Sequence, residues 1–286
     1  ILFSTNFQNK LTREDRKILR ESILENLLNN NPLAIKIVTS HLLAGKDMEI
    51  LKLELENDFF NTTNLEYEDI FDEKTDVNIE RTKSIFNSIN YSYTKLKHKE
   101  QLAFELLALF PDGINMTDFK SFFKSEDFKR DLNKITDKEI KSLENKSLVQ
   151  ISNGIIKLQS IVGRFANFKF KNRSDNEKKS YYNRAFQYNS YLLDVINVYS
   201  REGRERSFRK DKYLKTWDNY TNNFIECVKT LNYVEVDKYE SLEYIINVTN
   251  TLQSLELPPI TSILNNIKHH YKDVENAILL IDLIIL

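Results

Sequence analysis

Apolar residues recur at helical spacing over the first part of the chain, from about residue 11 to a run of three asparagines. The recurring positions are Ile18, Leu19, Ile23, Leu27 and Leu28. Thr12 followed by Asp15 is typical of a helix start, because each side chain can bond the backbone N–H of the other residue. A second, almost wholly apolar helix is predicted over 32–43, and a third over 48–55.

The sequence Asn30-Asn31-Pro32 predicts a tight corner between the first two of these helices. Proline fits the first turn of a helix, where its missing N–H leaves no bond unmade, and Asn31 before it is a good N-cap. Asn30 tolerates the left-handed backbone conformation that often ends a helix. We therefore expect a helix, a corner and a second helix in direct succession.

Polar and acidic residues dominate the stretch after the third helix, and we predict a linker over residues 61–92. Helical patterns follow at 97–110, in NMTDFKSFF and in TDKEIKSLENK, and the turn residues Pro111-Asp112-Gly113 end the first of them. Asn153-Gly154 then predicts a β-hairpin with two pairs on one apolar face: Ile151 with Ile156, and Val149 with Leu158. Three helices followed by a hairpin, with a helix over 161–171 behind it, is the order of a winged helix.

Residues 176–286 show helical periodicity almost throughout, in segments whose lengths are typical of helical repeats. No strict consensus repeats along them. The whole pattern predicts a mainly α fold: a bundle of helices, a winged-helix domain with a β-hairpin, and then TPR-like α-solenoid helices.

Composition narrows the classes of function. Five glycines and four prolines in 286 residues leave few turns, which argues against an all-β protein. The single cysteine, Cys227, excludes a disulfide framework and favours the cytoplasm. A net charge of −1 gives no overall attraction to nucleic acid or to a membrane surface, and no apolar stretch of about 20 residues predicts a membrane span. We find no zinc-binding cysteine pattern and no catalytic triad, and so predict neither catalytic nor metal-binding residues.

Three stretches in this order resemble the STAND class of P-loop ATPases, the signalling relatives of NB-ARC and AP-ATPase proteins. ILFSTN at residues 1–6 is similar to the family's sensor strand, and NNPLAIKIV at 30–38 is similar to its Gly-x-Pro-Leu-Ala motif in the helical lid. FELLALFPDGINMTDFKSFF and LENKSLVQISNGIIKLQSIVGRFA are similar to its winged-helix domain. The resemblance implies these segments: 1–8 as the end of the nucleotide-binding core, 9–60 as the lid, 61–92 as linker, 93–172 as winged helix and 173–286 as a helical-repeat sensor.

The resemblance also implies contacts with bound ATP or ADP and Mg²⁺. Pro32 would pack on the adenine with Asn31 beside it, Thr5 and Asn6 would lie on the γ-phosphate side, and Gln159 would reach a phosphate from the wing. Asn6 stands where the family often has arginine, and Gln159 stands where it has histidine. A glutamine can still donate a hydrogen bond to phosphate, but it carries no charge.

No GxxxxGK[ST] phosphate-binding loop occurs in the chain. We therefore expect a piece of a longer ATPase that is inactive by itself and that contributes to a site held mainly by another part. The resemblance implies a nucleotide-gated switch that self-associates into oligomers when a protein or phage-derived ligand binds the helical repeats, in bacterial antiviral defence.

Two alternatives from other classes stay open. One is a winged-helix transcription regulator, whose recognition helix would be 137–146; its acidic and basic residues balance, which disfavours nucleic acid without excluding it. The most basic segment, 201–215, also interleaves acids and is first a solvated loop. The other alternative is a helical scaffold that binds only protein.

Overall fold

The structure is a computed structural model that describes residues 12–40, 48–60, 79–122, 135–202, 207–254, 256–274 and 276–285. Within these ranges it has thirteen α-helices and one three-stranded sheet, so the predicted mainly α class is confirmed. The described residues divide into two compact units. The first holds those up to Ala108 together with Asn115–Lys169, and the second holds Leu109–Ile114 and those from Phe170 onward.

Short helices make up most of the first unit. They are α1 (Arg13–Lys17, continued by a π-helix, Ile18–Leu27), α2 (Pro32–Thr39), α3 (Met48–Phe60), α4 (Ile79–Thr94), α5 (His98–Leu106, continued by a 3-10 turn, Leu107–Leu109), α6 (Met116–Phe122), α7 (Asp137–Asn145) and α8 (Ser160–Lys171). Thr12 and Asp15 cap α1 reciprocally as predicted, with Asp15 N–H donating to Thr12 Oγ1 and Thr12 N–H to Asp15 Oδ2. In a π-helix each backbone N–H donates to the carbonyl five residues before it, and here Leu28 N–H donates to the Ile23 carbonyl at 2.8 Å.

The sheet contains three short strands, β1 (Ile114–Asn115), β2 (Gln150–Ser152) and β3 (Ile155–Lys157), with β3 in the centre. β2 and β3 form the predicted antiparallel hairpin, and Ile151 pairs with Ile156 as expected. Asn153 and Gly154 form its turn with φ of 51° and 77°, the positive values that a two-residue hairpin turn requires. Val149 and Leu158, predicted as the next pair, are both buried just outside the paired residues.

Helix α4 corrects the linker prediction for residues 79–92. These residues are helical rather than a loop, because both sides of the helix are covered. Tyr91 lies in the core beneath the Asn31–Pro32 corner, which we call the corner core. Phe86 and Tyr93, which lie on another side of α4, pack on Phe165 of α8 with ring centroids 5.1 Å and 5.6 Å away.

The corner core is formed by buried apolar side chains from α2, α3, α4 and the π-helix. Its members are Leu19, Ile23, Leu28, Ala34, Val38, Met48, Leu51, Leu55 and Tyr91. A second cluster, which we call the ring core, joins α4, α5 and α8. Its members are Phe86, Tyr93, Phe104 and Phe165. Helix α4 thus contributes side chains to both clusters.

The second unit is built from helices that follow one another along the chain. They are α9 (Asp175–Glu202), α10 (Ser207–Thr230, continued by a 3-10 turn, Leu231–Tyr233), α11 (Lys238–Ser254), α12 (Thr261–Ile267, continued by a 3-10 turn, Lys268–Tyr271) and α13 (Ala277–Ile285). The two long helices α9 and α10 pack along each other. An aromatic pair also joins helices that are not neighbours in sequence: Phe186 of α9 meets Tyr244 of α11 with ring centroids 5.3 Å apart. Among the described helices, none combines the length and the apolar character needed to cross a membrane.

Candidate functional site

The Asn31–Pro32 corner has the predicted geometry. Asn29 and Asn30 take positive φ values of 47° and 50°, which turn the chain at the end of the π-helix. The Asn31 side chain then caps α2, because its Oδ1 accepts from Leu33 N–H at 3.0 Å and from Ala34 N–H at 3.2 Å. The corner is therefore held from inside by a buried asparagine.

Pro32 and Asn31 differ in what they present to a ligand. Asn31 is only 5% exposed, and its oxygen is already used by the cap. Pro32 begins α2 and is exposed to solvent. Pro32 therefore offers an apolar ring on a fixed backbone, whereas Asn31 fixes that backbone.

Gln159 lies at the junction between the hairpin and α8. It is half-buried, and its carbonyl accepts from Gly163 N–H at 2.7 Å, the first bond of the helix. Leu158 before it is buried and Ser160 after it is exposed, so the chain passes from core to surface within three residues. The Gln159 side chain is thus positioned by a helix start on one side and by a buried leucine on the other.

The two predicted contacts, Pro32 and Gln159, lie in the same compact unit and start helices that both pack on α4. Helix α2 packs against α4 directly, and α8 meets α4 through Phe165. The other two predicted site residues, Thr5 and Asn6, lie outside the described residues.

A carboxylate of α3 attaches the corner core to α4. Glu54 Oε2 accepts from Tyr91 Oη at 2.9 Å and from Lys95 Nζ at 2.8 Å. Lys95 Nζ also lies 4.4 Å from the centroid of the Tyr91 ring, which adds a cation–π contact. No local sequence pattern indicates this cluster, because Tyr91 and Lys95 lie 37 and 41 residues from Glu54 along the chain.

A second carboxylate, Glu100 of α5, holds α7 in place. It is 6% exposed and accepts from Lys146 Nζ at 2.8 Å and from Lys97 N–H at 2.9 Å. Burial raises the pKa of Glu100, but hydrogen bonds from Lys146, Ser142 and the Lys97 backbone outweigh it, so the net pKa lies below the ordinary value. Glu100 is therefore an ionised structural group.

The outer side of α7 borders a shallow, open cavity of about 490 Å³. Its lining residues are Asp137, Lys138, Lys141, Ser142 and Asn145. Asp137 is paired with Lys120 of α6 at 2.8 Å, which offsets part of the local charge. Acidic and basic groups remain mixed on this side, as the sequence predicts.

The predicted contacts Pro32 and Gln159 do not include the groups that bind a triphosphate. Pro32 supplies an apolar ring and Gln159 a neutral carboxamide. Binding a triphosphate requires a glycine-rich loop with its lysine, and the sequence lacks this GxxxxGK[ST] motif. Across the described part of the chain, no cluster of three or more His, Cys, Asp and Glu side chains is placed to bind a metal ion.

We compared the chain with models of known protein families, with curated protein sequences and with solved structures, and it matches none of them.

Proposed function

We propose that this chain is the regulatory part of a STAND-type ATPase, a nucleotide-gated switch. The observation that carries the proposal is the element order from α5 to α8: helix, strand, two helices, two strands and helix, with β3 between β1 and β2. This order and strand arrangement support a winged helix in this part of the chain. The elements α5 to α8 come after a proline corner of the kind that the family uses against adenine. Paired helices come after them.

In this proposal the corner and the wing contact one nucleotide. The exposed ring of Pro32 packs on the adenine, and the Asn31 cap keeps the ring in place without a conformational cost on binding. Gln159 donates a neutral hydrogen bond to a phosphate oxygen, which is weaker than the charge-assisted bond of a histidine. Thr5 and Asn6 belong to the γ-phosphate side, and a P-loop in another part of the protein holds the phosphates and Mg²⁺.

The second unit is the proposed sensor. The run of helices α9 to α13 supports this role, because a TPR-like α-solenoid is also built from consecutive helices and presents extended surfaces to a protein ligand. Binding of a phage-derived or host protein there shifts the population from a closed, ADP-bound state to an open, ATP-bound state that oligomerises. We place this switch in the bacterial cytoplasm, in antiviral defence.

The test uses the longer protein that contains both this chain and a P-loop. We expect Pro32→Arg to weaken ADP binding about tenfold, since the loss of one apolar contact and the insertion of a bulky charge cost at least ~1.4 kcal/mol. Gln159→Ala removes one neutral hydrogen bond, worth about 1 kcal/mol, and should weaken binding about fivefold. Calorimetric titration gives the affinities, and light scattering gives the oligomeric state.

Two neighbouring substitutions serve as controls. Lys36→Ala changes an exposed residue of α2, and Ser160→Ala changes the exposed residue after Gln159; both should leave ADP affinity as it was. If Pro32→Arg and Gln159→Ala also leave the affinity and the oligomeric state unchanged, the proposed contacts of Pro32 and Gln159 with the nucleotide are wrong.

A winged-helix regulator that binds DNA is the second candidate, favoured by the open side of α7. Lys138, Lys141 and Asn145 are exposed there, in the helix that would enter a major groove. Gel-shift titrations at increasing salt separate the two candidates. A steep salt dependence with sequence preference, lost in Lys138→Ala with Lys141→Ala, would favour DNA binding over the nucleotide switch.

A further inference from the structure

The loop between α5 and β1 belongs to a different unit from the elements on either side of it. Residues Leu109–Ile114 are part of the second unit, whereas the chain up to Ala108 and from Asn115 to Lys169 belongs to the first. Phe110 in this loop is 1% exposed and meets Tyr188 of α9 edge to face, with ring centroids 5.7 Å apart. The loop is therefore packed within the second unit, although both of its ends continue into the first.

Four hydrogen bonds fasten this loop to the middle of α10, and we call them the Asp112 clamp. Asp112 N–H donates to Asn223 Oδ1 at 2.8 Å, and Asn223 Nδ2 donates to the Gly113 carbonyl at 2.8 Å. Asn222 donates to the Asp112 carboxylate twice, from its backbone N–H at 2.6 Å and from Nδ2 at 3.0 Å. The clamp thus combines backbone and side-chain groups from both segments.

The clamp is specific in its geometry. Asn223 is fully buried, and its carboxamide is bonded at both the oxygen and the nitrogen, so separating the loop from α10 would leave buried polar groups unpaired. Gly113 has φ of 94°, a conformation that other residues rarely adopt, and its carbonyl reaches Asn223. These features favour one fixed arrangement of the loop on α10 over a sliding contact.

We propose that the Asp112 clamp is the coupling element between the helical-repeat unit and the hairpin-bearing unit. When the helices of the second unit rearrange, the loop moves with α10, and its covalent ends shift the end of α5 and the start of β1. The inference rests on the proposed function only in its biological purpose, which is to carry ligand binding on the repeats to the nucleotide switch. The coupling itself is a property of this chain.

The experiment is a double-mutant cycle on the 286-residue chain, read by amide hydrogen exchange. The probe is Tyr271→Ala, which removes a buried ring and its bond to Ser241 and so loosens the second unit away from the clamp residues. The reporter is the Met116 amide, which donates to the Gly154 carbonyl at 2.8 Å in the first unit. We expect Tyr271→Ala to speed exchange of the Met116 amide about tenfold, within the range measured for coupled sites.

With the clamp broken, the same probe should have little effect on the reporter. In an Asp112→Ala background, which removes both bonds from Asn222, we expect Tyr271→Ala to change the exchange rate less than about twofold. Asn223→Ala removes the other two bonds and should give the same result. Asn222→Ala is the matched control: it keeps the backbone bond to Asp112 and loses one side-chain bond, so most of the coupling should remain.

Trp217, the only tryptophan, is buried in the second unit, so its fluorescence shows whether that unit is folded in each variant. An equal tenfold response in the wild-type, Asp112→Ala and Asn223→Ala backgrounds would overturn the coupling proposal. The measurement involves no nucleotide, so that result would leave the Pro32→Arg test of the switch standing. Conversely, an unchanged nucleotide affinity in Pro32→Arg would leave the coupling intact.

Discussion

Two buried asparagines, one in each unit, differ in how fully their side chains are hydrogen-bonded. In the first, Asn31 caps α2 and bonds two backbone N–H groups. In the second, Asn189 of α9 is fully buried; its Nδ2 donates to the Ala185 carbonyl at 2.8 Å, but its Oδ1 has no hydrogen-bond partner among the described residues. A buried polar atom stabilises a fold only when it is paired. The first asparagine thus strengthens its unit, and the second weakens it.

Aromatic packing separates the units as well. In the first unit Phe165 alone touches Phe86, Tyr93 and Phe104, so one ring joins three helices. In the second unit the aromatic contacts are spread along the helices from the Phe110–Tyr188 pair to the Trp217–Phe224 pair. A concentrated cluster depends on single residues, whereas contacts spread over several helices depend less on any one ring.

The largest expected effect is that of Phe165→Ala. The side chain is fully buried, and its removal should lower the free energy of unfolding by about 3–5 kcal/mol. Urea unfolding followed by far-UV circular dichroism measures the loss. Phe168→Ala, at a half-buried position of the same helix, is the control and should cost less than half as much. Equal losses of unfolding free energy in the two variants would show that the first unit does not depend on Phe165 in particular.

Glu100→Gln should cost about 1–3 kcal/mol at neutral pH, because it leaves the largely buried Lys146 ammonium without its charged partner. Since the pKa of Glu100 is lowered in the folded protein, its contribution is complete above the unfolded value of about 4.3 and is lost as the pH falls through the folded value. The difference between wild type and variant should therefore shrink below about pH 4 in urea titrations.

The exposed Lys120–Asp137 pair is the control for Glu100. Asp137 has 69% of its side chain exposed, and Lys120→Met should change the free energy of unfolding by less than about 1 kcal/mol at any pH. A loss in Glu100→Gln as small as this one, or one independent of pH, would contradict a structural role for the buried carboxylate.

Asn31→Ala should lower the free energy of unfolding by about 1 kcal/mol, since two backbone N–H groups at the start of α2 lose their acceptor. Asn31→Asp keeps an acceptor oxygen and should retain most of the stability. Thermal unfolding of both variants measures the difference. A loss in Asn31→Asp as large as in Asn31→Ala would mean that the cap does not hold the corner.

The smallest expected effect has the opposite sign. Asn189→Leu replaces a half-bonded carboxamide with an apolar side chain of similar volume, and should raise the free energy of unfolding by about 0.5–1 kcal/mol. Asn223→Leu is the matched control in the same unit, because both ends of Asn223 are bonded and its replacement should destabilise. If both substitutions changed the free energy of unfolding in the same direction, the bonding of the buried carboxamide would not decide its effect on stability.

Elements with local signals were predictable from sequence. The Thr12–Asp15 box, the Asn31 cap with Pro32, and the Asn153-Gly154 hairpin are each set by residues within a few positions of one another, and all three are confirmed. Such signals act through the backbone of the same segment, so the rest of the fold is not needed to interpret them.

Helix α4 was missed for a physical reason. Its apolar residues point to two cores, so they form no single stripe, and small polar residues lie between them at buried positions, such as Ser88 and Ser92. Ser88 Oγ satisfies itself by donating to the Ser84 carbonyl of its own helix at 2.8 Å. The Asp112 clamp was equally hidden, because Asn222 and Asn223 lie about 110 residues from the turn and no local pattern links them.

Helix α4 also limits how the protein can be cut. A fragment that ends at Phe60 would lack Tyr91 and leave its place in the corner core empty. A fragment that begins at Lys97 would lack the α4 side chains that pack on Phe104 and Phe165. Because the corner core and the ring core both include side chains of α4, a soluble fragment that contains either core should include Ile79–Thr94. A chimaera that exchanges one half must therefore match two surfaces of a single helix at once.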